Sequence, residues 1–179
     1  KILIYQKKKL IEINLKDIEN ANKKKLSISK IDRLKLTNER IDQIISSLDE
    51  IIKLNDPVGN IISKWTRPNG LLIKKISIPL GVIGLIYESR PNVTVDASAI
   101  SIKSGNAIIL RGGIDSYNSS KKLNNIINTS FLAAGLPKNI VQMVSSIDRL
   151  AVDEMLKLNN YIDVIIPRGG QNLIKKINK

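Results

Sequence analysis

The sequence predicts an α/β fold, a parallel sheet flanked by helices and preceded by an N-terminal helical segment. Three observations predict it. Short unbroken apolar runs recur after Pro79, at residues 82–87, 107–110, 140–144 and 162–166, as strands buried on both faces require. Segments long enough for helices separate the later runs, one at 116–134 with Leu123, Ile126, Ile127 and Phe131 on one face and one at 148–158. Before Pro79 the apolar spacing is mainly helical. Strand, helix, strand in alternation implies parallel pairing with right-handed crossovers.

Taken in order, Leu10, Ile11, Ile13 and Ile18 stand among Lys, Glu and Asn, and a second run places Ile41, Ile44, Ile45, Leu48, Ile51 and Ile52 at a 3.6-residue spacing. Thr37 is the expected N-cap of that second helix, and Asp56-Pro57 with Gly59 its punctuation. The two runs predict an antiparallel helical preface. Residues 71–78 (LLIKKISI) alternate loosely and follow the turn signal Arg67-Pro68-Asn69-Gly70, which predicts a strand leading into Pro79. Residues 93–102 alternate with period two, the mark of a strand, whereas a parallel sheet demands a crossover helix at that point. The reading favours the helix and leaves the conflict standing. With no internal repeat and no low-complexity linker, the division drawn is soft, at 56–70. It separates a helical segment, 1–70, from an α/β domain, 71–179.

Composition excludes several chemistries. The 179 residues contain no cysteine and no histidine, which removes a thiol nucleophile, disulfides, an imidazole base and ordinary zinc ligation from this stretch. No metal site is expected. No run approaches the roughly 20 apolar residues of a membrane span, and the Lys-rich start lacks a signal-like apolar run, so a cytoplasmic location is expected. The formal charge of +13 raises a nucleic-acid reading. Against it, the lysines are spread among Ile and Asn along the whole chain, and aromatics are only 3%, too few for base-stacking platforms. The chain starts at Lys1, and residues 174–179 form a basic helical pattern without a stop signal, so both ends read as cut.

Phosphate-binding turns typically follow a buried strand and precede a helix, where free backbone N–H groups meet the helix dipole. Three turns qualify: Glu88-Ser89-Arg90-Pro91-Asn92, Arg111-Gly112-Gly113 and Pro167-Arg168-Gly169-Gly170. Each offers an arginine, whose planar fork matches phosphate or carboxylate. In open α/β sheets, ligands bind off the carboxyl ends of strands, so the three arginines point to one anionic cleft. The plainer alternative for each is a tight Gly-Gly turn and a strand-end arginine in a surface ion pair. No GxGxxG fingerprint occurs. The residues by themselves therefore support an α/β domain that binds a phosphorylated ligand.

The wording of these segments, PLGVIGLIYESRPNVTVDAS (79–98), KSGNAIILRGG (103–113), AAGLPKNIVQMV (133–144) and YIDVIIPRGG (161–170), resembles the gamma-glutamyl phosphate reductases of the aldehyde dehydrogenase superfamily. RLKLTNERI and NDPVG extend the resemblance into the helical preface. It is shared with the reductase half of the bifunctional pyrroline-carboxylate synthases. The resemblance implies an aldehyde-dehydrogenase-like Rossmann-type sheet that binds NADPH without the glycine fingerprint, a separate catalytic domain absent here, and a projecting oligomerisation hairpin to which 71–78 belongs. It implies reduction of L-glutamate 5-phosphate to glutamate 5-semialdehyde with phosphate release, the second step of proline biosynthesis. The family's catalytic cysteine lies beyond Lys179, so no catalytic residue is assigned and the fragment is expected to be inactive alone. A homo-oligomer and a glutamate kinase partner or fusion are also implied.

By motif position, the resemblance assigns Arg111 to the 2′-phosphate of NADPH. Gly112, Gly113, Pro167, Arg168, Gly169 and Gly170 are assigned to the cofactor turns, and Ser89, Arg90 and Asn92 to the substrate, with Arg90 on the acyl phosphate. A structural pairing of Glu88 with Arg90 is the alternative for that arginine. A basic phosphate- or nucleic-acid-binding module on the same fold remains the alternative function.

Overall fold

The structure, a computed structural model, describes residues 1–148 and 150–177. Four helices open the chain: α1 (Ile2–Tyr5), α2 (Lys7–Lys23), α3 (Ile28–Leu34) and α4 (Asn38–Lys53). Thr37 caps α4 as expected, its hydroxyl accepting the Arg40 amide at 3.3 Å. Leu10, Leu34 and Ile41 are fully buried, so the apolar stripe of the preface faces inward. A hairpin follows, β1 (Ile61–Thr66) antiparallel to β2 (Leu72–Ile76). The strand expected at 71–78 is thus present but shorter, and β1 was not anticipated. Gly70, with φ +84°, closes the turn, so the division drawn at residue 70 falls inside this hairpin.

The remaining elements are β3 (Val82–Tyr87), α5 (Asn92–Lys103), β4 (Ala107–Arg111), a 3-10 turn (Ile114–Ser116), α6 (Tyr117–Ala133), β5 (Val141–Met143), α7 (Leu150–Leu156), β6 (Val164–Arg168) and α8 (Gln171–Ile177). The conflict at 93–102 resolves as a helix. Residues 178–179, the end of the basic pattern, lie outside the described residues, as does Arg149 in the segment read as a helix over 148–158.

Strands β3 to β6 form one parallel sheet in the order β5-β4-β3-β6. The expected strand at 162–166 sits two residues later. Ile162 packs into the core before the strand begins, and Asp163 anchors the start of β3, its carboxylate accepting the Val82 amide at 2.8 Å. Pro167 is tolerated because β6 is an edge strand. One face of the sheet, with Ile83, Leu85, Ile108 and Leu110, is covered by α5, α6 and the preface in a single apolar cluster. The other, with Ile86, is covered by α7 and the segment around Ile162.

Buried polar bonds fix the preface to this scaffold. The Asn14 amide donates to the Leu34 carbonyl and to Ser119, and its oxygen accepts the Leu36 amide. The Asp17 carboxylate accepts the Ser119 amide and hydroxyl at 2.8 and 2.6 Å and the Asn118 side chain at 2.8 Å. Fully partnered buried groups of this kind specify one docking geometry.

Candidate functional site

Parallel pairing brings all three sequence-nominated turns to one sheet edge. Ile86 lies opposite Arg111 on one side and Pro167 on the other, and Tyr87 is paired with Arg168. The turns also touch. The Glu88 amide donates to the Arg168 carbonyl at 3.1 Å, and the Gly170 amide donates to Glu88 Oε1 at 3.0 Å. A Cβ on Gly113 would lie 2.7 Å from Ser89 Oγ and 2.9 Å from its backbone nitrogen. One on Gly112 would meet the Tyr87 ring at 2.9 Å, and one on Gly169 the Glu88 side chain at 2.8 Å. These glycines therefore let turn pack on turn, a structural demand that exists before any ligand arrives.

The nominated residues divide between two sides of the edge. Ser89 faces the β4–α6 connection, donating to Asp115 at 3.4 Å, and Asp115 in turn pairs with Lys24 at 3.0 Å. Arg90 and Asn92 instead line a cavity of about 350 Å³ against α3 and α4, together with Asp96. Arg168 does not line this cavity, but its charge acts on Asp96. The Asn92 amide donates to Asp96 Oδ2 at 3.0 Å. Burial raises the Asp96 carboxyl above the ordinary aspartate range, against the opposing pull of that hydrogen bond and of Arg168.

Arg111 is buried, and its guanidinium donates to the carbonyls of Gly112, of Ile147 at 3.2 Å and of Asp148 at 2.9 Å. It therefore fastens the connection after β5 to the end of β4. Tyr87 supports the same corner from within. Its hydroxyl shares a 2.8 Å hydrogen bond with Thr94, and burial pushes the phenol above its ordinary pKa.

Two carboxylates already occupy amides at this edge: Asp17 at the start of α6 and Glu88 at Gly170. They show which backbone groups bind oxyanions. Neither partnership was anticipated, because each joins residues distant in sequence. Asp96 was missed as well: the helical reading of 93–102 puts it one turn beyond Asn92, but nothing in the sequence marks that pair as lining a cavity against α3 and α4.

No protein-family model matches the chain. Curated relatives do. The gamma-glutamyl phosphate reductase of Paramagnetospirillum magneticum is 51% identical over 95% of the chain, and that of Halothermothrix orenii 49% identical over 98%. The chain spans about two fifths of the length of these relatives. Among solved structures, it is similar to the gamma-glutamyl phosphate reductase of Thermotoga maritima, with TM-score 0.95 and 41% identity over 99% of the chain and 43% of that protein. The corresponding Saccharomyces cerevisiae structure gives TM-score 0.91 at 32% identity, over 98% of the chain and 45% of that protein. A probable aldehyde dehydrogenase from Listeria monocytogenes, 18% identical, shares the fold with TM-score 0.69 over 97% of the chain and 35% of that protein. The chain is thus a homologue of one continuous part of the gamma-glutamyl phosphate reductases and carries the aldehyde dehydrogenase-like fold.

Proposed function

We propose that this chain is the cofactor- and substrate-positioning part of a cytoplasmic NADPH-dependent reductase that converts L-glutamate 5-phosphate to L-glutamate 5-semialdehyde. The observation that carries the reading is the convergence of the three motif-bearing turns on one edge of the parallel sheet. The family chemistry uses a cysteine thiolate, and the chain has none, so the residues here bind and orient rather than attack.

The residues fit a dinucleotide in one testable respect. Gly170 offers an amide that donates to a carboxylate oxygen, and a phosphate oxygen accepts from it in the same way. Gly169, Gly170, Pro167 and Arg168 are assigned to that end of NADPH, and Arg111 with Gly112 and Gly113 to its 2′-phosphate end. When bound, NADPH supplies the hydride. For Arg111, the role needs part of the guanidinium to serve the ligand while the rest holds the loop carbonyls.

Ser89, Arg90 and Asn92 are assigned to the substrate. The exposed β1–β2 hairpin supports self-association, and a kinase partner or fusion fits the same biosynthetic sequence, as does membership in a bifunctional pyrroline-carboxylate synthase.

A titration tests the reading. The purified chain binds NADPH and, without the cysteine, does not oxidise it in the presence of glutamate 5-phosphate; turnover would overturn the positioning-only role. Arg111→Ala weakens NADPH by about tenfold more than NADH, the worth of one charge-assisted contact. Equal losses for the two cofactors would remove the 2′-phosphate assignment and leave Arg111 as a loop fastener. Steeply salt-dependent binding of duplex DNA with no NADPH preference would replace the whole reading.

A further inference from the structure

The cavity of about 350 Å³ beside the sheet edge is lined by charged groups of both signs. From the α3–α4 side come Arg33, Lys35 and Arg40, and from the β3–α5 side Arg90, Asn92 and Asp96. Arg40 is committed to structure, gripping both oxygens of Asp32 at 3.0 and 2.9 Å and the Lys35 carbonyl at 3.2 Å. Arg33 and Lys35 have no ion-pair partner among the described residues. Asp96 holds Asn92 with one oxygen, while its other oxygen, Oδ1, is buried without any hydrogen-bond partner in the structure.

A buried carboxylate oxygen left without a donor is costly, and a ligand that brings a donor relieves that cost. The missing partner must be a donor and is best a cation. On the facing wall, Arg33 and Lys35 want an anion. One small group satisfies both walls: a zwitterion, with an ammonium for Asp96 and a carboxylate for the cations. The volume suits a small ligand.

We infer that this cavity receives the α-amino-acid head of the substrate, with Asp96 accepting its ammonium group and Arg33 and Lys35 its α-carboxylate. The inference rests on the reading of the chain as part of a glutamate 5-phosphate reductase and names how that substrate is told from an acyl phosphate lacking the amine. Asp96 is then the specificity-determining residue, with Asn92 holding its carboxylate in place. The upward push of burial on the Asp96 carboxyl accords with this, since an incoming ammonium stabilises the charged form that burial disfavours. Arg168 acts on Asp96 from β6, and the charged groups that line the cavity with it are Arg90 from the adjoining turn and, on the facing wall, Arg33, Lys35 and the Asp32–Arg40 pair.

The test compares two stable probes on the whole chain at neutral pH, L-glutamate and its des-amino analogue glutarate, by calorimetric or NMR titration. Glutarate carries the larger negative charge, so a pocket of cations alone would prefer it. The unaltered chain instead binds L-glutamate at least fivefold more tightly. Asp96→Asn, which keeps the side-chain shape, reverses the order by weakening L-glutamate about tenfold or more while glutarate holds or tightens.

Glutarate binding as well as L-glutamate in the unaltered chain would overturn the inference, and that comparison needs no variant to fold. Equal losses for both probes in Asp96→Asn, or no binding of either, would overturn it too. An NADPH titration of the unaltered chain separates the two levels. NADPH binding without amine discrimination sinks this inference alone, and loss of both removes the reductase reading.

Discussion

The β1–β2 hairpin and the β3 region of the parallel sheet are both built from apolar strands and glycine turns, yet they sit at opposite extremes of burial. Every residue of β1 is exposed, whereas five of the six in β3 are buried and the sixth is half-buried. Ile61, Ile62, Trp65, Leu72 and Ile76 lie open to solvent, more apolar surface than an isolated two-stranded ribbon ordinarily carries. In the sheet, the same residue types are closed in by helices on both faces. Glycine also differs in kind between the two. Gly70 of the hairpin needs its φ of +84° and has open space around it, while Gly113 has an ordinary φ of −65° and no room.

That difference sets the largest expected effect. Gly113→Ala must push the Ser89 backbone away, an overpacking cost of about 1–3 kcal/mol, and lowers the melting temperature by roughly 3–10 °C. It also displaces the β3 turn, so NADPH binding and cavity occupancy fall together. Gly70→Ala meets only the strain of a left-handed backbone, about 1 kcal/mol, and leaves ligand binding alone. If thermal melts rank the two variants the other way round, the packed edge is less constrained than its contacts imply.

A smaller effect on the fold, but a larger one on assembly, is expected at Trp65. Trp65→Lys lands on an open surface, so the melting temperature of dilute protein moves by no more than about 0.5 kcal/mol's worth. Self-association, followed by sedimentation across a concentration series, weakens about tenfold or more. Trp65→Lys protein that associates as before would mean that the apolar hairpin is not an interface between copies.

The same contrast explains what the sequence disclosed. Strands β3 and β4 were legible because burial on both faces leaves an unbroken apolar run. Strand β1 (IISKWT) was not, because with neither face buried nothing imposes a pattern on it. Helix α5, favoured only because a parallel sheet needs a crossover, was obscured in the residue pattern for the opposite reason. Val93, Thr94, Val95, Ser98 and Ser101 are all buried, so the helix has no broad polar face to advertise a 3.6-residue period. Two of its buried hydroxyls are satisfied nearby, Ser98 by the Thr94 carbonyl at 2.6 Å and Thr94 by Tyr87. At the candidate site, turn chemistry announced all three loops. The carboxylates that fill their amides, Glu88 on Gly170 and Asp17 on Ser119, became visible only once the chain was folded.

The smallest effect, and the one with a definite sign, is at Asp96. Its carboxyl is raised in the folded state by burial, so between the unfolded aspartate pKa, about 3.9, and the higher folded value the native chain binds more protons than the unfolded one. Stability attributable to this group therefore falls as pH rises through that window and stays reduced at neutral pH. Asp96→Asn removes the buried charge and raises the melting temperature at pH 7 by about 1–3 °C, an advantage that vanishes below about pH 4. A stabilised variant that has also lost its preference for L-glutamate over glutarate would identify the buried charge as one kept for recognition at the expense of the fold.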